Sequence, residues 1–265
     1  MARVDGFGPQ QLPSALVLTI DNLGEASALE RGEQPAPTRH DPSVTRALPW
    51  LLDELDRHGL KATFFVEAIN CELYPEAVAG IAARGHEVGH HGWSHEQWTE
   101  LSRQEEADVL TRGLRAFETL GLSVRGFRPP GGELTASSPE LLRERAFTWC
   151  SPAGGDVRIE DGLAYVPFDW ELVDAYHLMG SFAPLRASRG DPETPVPPPE
   201  LAERLIEHIG AGGLRTLILH PFLMLDDAWA AGTARVLEAV GGLARSGEAW
   251  VVPGNVFADW QLGRS

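Results

Sequence analysis

The sequence alternates short apolar runs with longer segments of helical periodicity, and this alternation is the feature that most restricts its fold. The strand-like runs are Leu16–Ile20, Ala62–Val66, Glu87–Gly89, Val124–Phe127, Phe147–Cys150, Leu163–Phe168, Thr216–Leu219 and Ala249–Val252. The helical segments are Asp41–His58, Tyr74–Arg84, Ser102–Leu120, Pro139–Arg145, Pro199–Ile209 and Ala228–Leu243. This order favours a mostly parallel sheet. Roughly seven or eight such units favour closure into an α/β barrel, with an open doubly wound sheet as the alternative.

Two polar segments interrupt this rhythm, Leu23–His40 and Glu171–Pro198. Each follows the carboxyl end of a predicted strand, where α/β enzymes build their sites. We therefore expect binding loops or lids rather than linkers. The expected organisation is a single domain over residues 1–265, with its core at about 15–253.

Composition excludes several classes of partner. The net charge of −16 argues against a nucleic-acid or anionic-membrane surface, since both need an excess of Lys and Arg. No apolar run approaches the roughly 20 residues of a membrane span. Residues Met1–Gly6 lack a basic start followed by an apolar stretch, so we expect no export signal and a cytoplasmic location. Cys71 and Cys150 are expected to be structural thiols.

Polar side chains follow the ends of several predicted strands, and they include Asp21, His91, His95, Arg128, Asp169 and His220. Because the carboxyl ends of parallel strands meet at one edge, these groups are expected to converge. His91 and His95 are four residues apart, which on a helical turn would place both imidazoles on one face and suit a divalent metal. Asp21 or Asn22 would supply a third ligand. The alternative is that both histidines only hydrogen-bond a turn.

The remaining candidates have a catalytic and a structural interpretation. Arg128 is expected to pair with Asp21 and keep it ionised, unless it forms an ordinary surface pair. His220 can donate a proton near neutral pH, unless it is a satisfied buried histidine. The turn after Arg128 places Gly131 where its backbone N–H can approach a ligand. Asp169 and Trp170 form either a wall of the site or simple packing.

Together these segments resemble the polysaccharide deacetylase family, the NodB-homology carbohydrate esterases. The motifs that carry the resemblance are Thr19–Asn22, Lys61–Val66, Glu87–His95, Arg128–Gly132 and Leu217–His220. The resemblance implies a distorted (β/α)₇ barrel that holds one divalent metal, often zinc.

The resemblance also implies roles for individual residues. His91 and His95 would bind the metal. Asp21 would be the general base and His220 the general acid, with Arg128 orienting Asp21. The Gly131 N–H would stabilise the oxyanion and Leu219 would line the pocket for the acyl methyl.

One motif departs from the family pattern. The family's metal-binding second aspartate is Asn22 here, and an amide oxygen carries no charge. Asn22 could still ligate a metal, with lower affinity or a different metal preference, and the alternatives for the third ligand are Asp21 and Glu25. The implied activity is metal-dependent hydrolysis of an N-acyl C–N bond, with N-acetyl expected, in an amino sugar or related carbohydrate. The alternatives are an allantoinase-like hydrolase of a small linear or cyclic amide, and a non-catalytic binding protein on a degenerate deacetylase barrel.

Overall fold

Nine strands form one curled sheet in the computed structural model, which describes residues 6–263. They are β1 (Ser14–Asp21), β2 (Thr63–Val66), β3 (Glu87–His90), β4 (Gly126–Phe127), β5 (Trp149–Cys150), β6 (Arg158–Glu160), β7 (Leu163–Tyr165), β8 (Gly213–Leu219) and β9 (Trp250–Val252). The strand order is β6-β7-β5-β4-β3-β2-β1-β8, with β9 also paired to β1. All pairs are parallel except β6 with β7.

Helices connect most of the strands. They are α1 (Ala26–Glu30), α2 (Leu48–Arg57), α3 (Asn70–Leu73), α4 (Pro75–Ala83), α5 (Arg103–Thr119), α6 (Ser138–Glu144), α7 (Asp174–Leu178), α8 (Ala183–Arg189), α9 (Pro198–Gly210), α10 (Asp227–Ser246) and α11 (Gly254–Gln261). A π-helical turn at Ser43–Ala47 precedes α2. The helix α5 begins at a capping box, in which the Ser102 and Glu105 side chains each bond the other residue's backbone N–H.

The sheet curls into an incomplete barrel. The gap between β7 and β8 is crossed by a single parallel bridge between Val173 and Ile218, and by the Thr216 hydroxyl, which donates to the Pro167 carbonyl at 2.8 Å. The predicted distorted α/β barrel is confirmed in this form. The antiparallel strand β6 and the helix α11 were not predicted from the sequence.

The core follows the alternation of side chains along β1. Leu16, Leu18 and Ile20 join the large apolar cluster beneath the helices. Ala15 and Val17 point to the other face of the sheet and pack in a second cluster inside the curl. The strand is therefore buried on both faces, which fixes the position of its last residue, Asp21.

Residues 171–198 form what we call the cover segment, which contains α7 and α8. The buried guanidinium of Arg186 holds this segment together by donating to the main-chain carbonyls of Tyr176, Met179, Pro192 and Glu193. The predicted binding loop is thus a folded structure with its own hydrogen bonds.

Within residues 6–263, the helices are too short or too polar for any of them to cross a bilayer.

Candidate functional site

Most of the predicted site residues meet at the carboxyl ends of the strands. A cavity of about 260 Å³ is lined there by Asp21, Asn22, His91, His95, Arg128, Gly131, Trp170 and His220, among others. These residues come from positions that span 200 residues of sequence, and they meet because the strands that precede them are parallel.

The buried Arg128 side chain positions Asp21. Its Nη1 lies 2.6 Å from Asp21 Oδ1 and 2.8 Å from Thr19 Oγ1, while its Nη2 donates to Ser151 Oγ at 2.8 Å. The guanidinium also lies 4.3 Å from the ring centre of Phe65. These contacts fix one oxygen of Asp21 and leave Oδ2 facing the cavity side, 4.0 Å from His91 Nε2.

His91 and His95 lie in a loop after β3, not on a helical turn as expected from their spacing. The loop folds back through left-handed backbone at Gly92 (φ +76°) and at His95 (φ +73°). The Glu96 carboxylate accepts the backbone N–H groups of Trp93 and Ser94, which stabilises the fold-back. The two imidazole ring centres are nevertheless only 5.0 Å apart.

Both imidazoles are neutral at ordinary pH. Burial lowers the pKa of His91 and of His95 to about 3. His91 Nδ1 lies 2.9 Å from the Arg128 carbonyl, which can only accept, so Nδ1 carries the proton. The lone pair of His91 Nε2 is therefore available to a ligand or a water near Asp21 Oδ2.

The donor set does not match a zinc centre with a carboxylate ligand. The predicted ligands His91, His95 and Asn22 are all uncharged, and the Asp21 carboxylate on the same cavity has its Oδ1 bonded to Arg128 and its Oδ2 4.0 Å from His91 Nε2. No cluster of three or more His, Cys, Asp or Glu side chains suited to a metal occurs among residues 6–263. Glu25 cannot complete the set as proposed from the sequence, because its carboxylate is bonded to Thr38, the Arg39 backbone and Tyr74.

His220 has a buried acidic partner that the sequence reasoning missed. His220 Nδ1 lies 2.5 Å from Asp174 Oδ1, and the backbone N–H of His220 donates to Asp174 Oδ2 at 2.9 Å. Burial opposes protonation, but the charge and hydrogen bond of Asp174 outweigh it, so the pKa of His220 is raised. Asp174 lies in the cover segment, 46 residues before His220, and no local motif connects the two.

A second missed residue lies below the loop that follows β1. Glu67 is fully buried, and its Oε2 accepts the Leu23 backbone N–H at 3.0 Å. Burial raises the pKa of Glu67 to about 8, so it is protonated at neutral pH. Its bond to Leu23 supports the left-handed turn at Asn22, which has φ +58°.

The turn after Arg128 brings backbone to the cavity. Gly131 and Gly132 have φ values of +77° and +87°, a region that glycine adopts without strain. A Cβ at Gly132 would lie 2.8 Å from that of Ala153, so any larger residue at this position would clash with Ala153. Gly131 lines the cavity, as its expected role requires.

Three predicted wall residues have different placements. Trp170 lines the cavity. Asp169 does not line it and is solvent-exposed, as an extended residue just before the 3₁₀ turn Trp170–Leu172. Leu219 does not line it either: its side chain points to the helix side of β8 and is buried in the large core cluster. The adjacent Ile218 faces the cavity instead, since successive strand residues point to opposite faces.

Residues 34–149 match the polysaccharide deacetylase family model. The peptidoglycan-N-acetylglucosamine deacetylase of Bacillus cereus is 32% identical over 100 residues, which are 37% of this chain and 36% of that protein. The chain thus spans about a third of the length of that curated relative.

Two solved structures have similar folds over almost the whole chain. A Mycobacterium smegmatis protein assigned to the polysaccharide deacetylases is 26% identical, with a TM-score of 0.80 over 96% of this chain and 91% of that one. Puue allantoinase has a TM-score of 0.74 over 95% and 91% of the two chains. Its identity is 14%, so it supports the fold alone.

Proposed function

Because the resemblance to the polysaccharide deacetylase family is confirmed, we propose that this chain hydrolyses the C–N bond of an N-acylated amine. The observation that carries the proposal is the convergence of Asp21, held by Arg128, and His220, held by Asp174, on one cavity. A carboxylate with one free oxygen and an imidazole with a raised pKa are the base and the acid that such a hydrolysis needs.

The proposed reaction begins with a water held between Asp21 and His91. Asp21 Oδ2 accepts a proton from this water while the neutral His91 Nε2 accepts its second hydrogen bond; the 4.0 Å between these atoms leaves the water beside both. The oxygen then attacks the acyl carbonyl carbon. The backbone N–H of Gly131 is the proposed donor to the oxyanion.

His220 completes the reaction as the acid. Because its Nδ1 donates to Asp174, the transferable proton of the protonated ring is on Nε2. This proton goes to the amide nitrogen as the C–N bond breaks, and the products are a carboxylic acid and an amine. The Asp174 side chain stabilises the charged imidazole before the transfer.

Metal dependence was expected from the resemblance, with zinc or another divalent ion on His91, His95 and Asn22. The uncharged donor set described above does not fit that centre, and no step of the proposal depends on a metal.

We propose an N-acylated amino sugar as the substrate. We also propose that the protein is located in the cytoplasm.

The allantoinase-like alternative is favoured by one observation. That observation is Asn22, an amide where the deacetylase pattern has a metal-binding aspartate. Such an enzyme would hydrolyse a small linear or cyclic amide.

The proposal is tested by identifying the product that the purified chain releases from N-acylated sugars and from small linear and cyclic amides. We expect free amino sugar from the wild type, and a loss of about 10²–10⁴-fold in His220→Ala. Ammonia or a ring-opened acid, with no amino sugar, would support the alternative. No product from any compound, or unchanged turnover in His220→Ala, would contradict the proposal.

A further inference from the structure

One side of the cavity is an apolar wall, formed by Phe168, Trp170, Val173, Phe182, Leu185 and Ile218. The cavity volume is about 260 Å³. A water molecule, which is similar in size to a methyl group, takes up about 30 Å³ in the liquid. The cavity is therefore several times larger than the methyl of an acetyl group needs. The space beside the reacting groups is therefore both larger and more apolar than an acetyl group requires.

A second cavity, of about 320 Å³, adjoins the first. Both are lined by Asn22, His95, Phe182 and His220, so they meet at the proposed acid. The second cavity carries polar side chains that the first lacks, namely Ser27, Arg31 and Ser181. We call them the apolar and the polar cavity, because the second has the larger polar share of its lining, although Ala175, Met179 and Phe222 line it as well. They lie on either side of the reacting groups.

The position of the oxyanion donor orients a substrate between these cavities. Arg128, Gly131 and Gly132 line only the apolar cavity, whereas His220 lines both. The carbonyl carbon must lie near Gly131, and the leaving nitrogen must lie near His220. The acyl chain then extends along the apolar wall, and the amine portion occupies the polar cavity.

The part of the apolar wall that comes from the cover segment is anchored by hydrogen bonds. Phe182 and Leu185 reach the cavity from the cover segment, on either side of the start of α8. That helix contains Arg186, a residue that is 1% exposed and whose guanidinium donates to four main-chain carbonyls. This anchoring keeps the wall beside the reacting groups.

We infer, on the basis of the proposed hydrolysis, that the substrate carries an apolar acyl chain longer than acetyl, which binds against the apolar wall while a polar amine portion binds near Ser27 and Ser181. Each methylene buried on the wall stabilises the complex, which corresponds to about a fourfold gain in kcat/KM per methylene. The predicted preference is the opposite of that of an enzyme whose pocket ends at a methyl group.

The experiment compares N-acetyl-, N-butyryl- and N-hexanoyl-glucosamine by release of free amine. The wild type should give a kcat/KM that rises with chain length by about tenfold or more from acetyl to butyryl. Leu185→Trp fills the cavity and should reverse this order. Ala187→Trp is the matched control, because residue 187 lies on the exposed side of the same helix, and it should keep the wild-type order.

A binding measurement separates this inference from the proposed function. Calorimetric titration of acetamide, butyramide and hexanamide should give affinities that increase with chain length, and Leu185→Trp should abolish the increase. Hydrolysis that is fastest with the acetyl compound, or amide affinities independent of length, would overturn the inference. Length-dependent binding without hydrolysis of any compound would support the inference and contradict the proposed reaction.

Discussion

Arg128 and Asp21 form a buried ion pair with 2.6 Å between Nη1 and Oδ1, and the other end of the guanidinium is fixed by Ser151. A lysine can supply the charge but cannot bond both partners, because it lacks the planar fork. We expect Arg128→Lys to lower kcat by about 10²-fold with a smaller change in KM, since a small displacement of the base is enough.

The control for this substitution is Arg125→Lys, at an exposed arginine three residues earlier. It should leave both constants unchanged. Equal kcat values for Arg128→Lys and the wild type would show that the fork does not position Asp21.

The contact between Asp174 and His220 predicts a pH effect. Because Asp174 raises the pKa of His220, the imidazole of the wild type keeps its proton to higher pH. As the acid form is the active one, the alkaline limb of kcat/KM should shift to lower pH in Asp174→Asn. An alkaline limb at the wild-type position in a variant that is folded by circular dichroism would contradict this role.

Asn22 predicts weak zinc binding by the native chain. Replacing the amide with a carboxylate beside His91 and His95 adds a charge that attracts a divalent cation, so Asn22→Asp should bind Zn²⁺ at least about tenfold more tightly. Competition with a chromophoric chelator measures the affinity. Adding His95→Ala to Asn22→Asp should remove the gain, and equal zinc affinities of the wild type and Asn22→Asp would contradict the assigned ligand position.

Glu67 predicts a stability that falls as pH rises. Its pKa is about 8 in the folded chain, against an ordinary value of 4.5. Below pH 4.5 both states hold the proton, and between pH 4.5 and 8 only the folded state does. The folded state therefore loses up to about 1.4 kcal/mol of stability per pH unit in this window.

Glu67→Gln has no proton to lose, so its free energy of unfolding should exceed that of the wild type by an amount that grows from about pH 5 to about pH 8. Urea unfolding at each pH measures the difference. Glu118→Gln, at an exposed position, is the control and should follow the wild type. Parallel curves for Glu67→Gln and the wild type would contradict the buried, protonated carboxyl.

Local patterns predicted the elements that build the site. The β-branched and aromatic run at Thr63–Val66 and the capping box at Ser102 each specify their structure within a few residues. The parallel strands then bring Asp21 and His220 to one edge of the sheet, and this convergence could be predicted from the sequence.

Sequence patterns did not predict the contacts between distant segments. Asp174 meets His220 only because the cover segment folds over β8, and Glu67 is protonated only because it is fully buried. Whether Ile218 or Leu219 faces the cavity depends on the register of β8, since a shift by one residue exchanges the two faces of the strand. The loop of His91 and His95 has a left-handed geometry that their spacing does not indicate.

The role of Asp21 as the base is tested by the rate of amine release from N-acylated glucosamines by Asp21→Asn, with Asp108→Asn at an exposed position as the control. We expect a loss of about 10²–10⁴-fold in Asp21→Asn, because the amide cannot accept the proton of the attacking water, and no loss in Asp108→Asn. Equal rates of amine release by Asp21→Asn and the wild type would contradict this role.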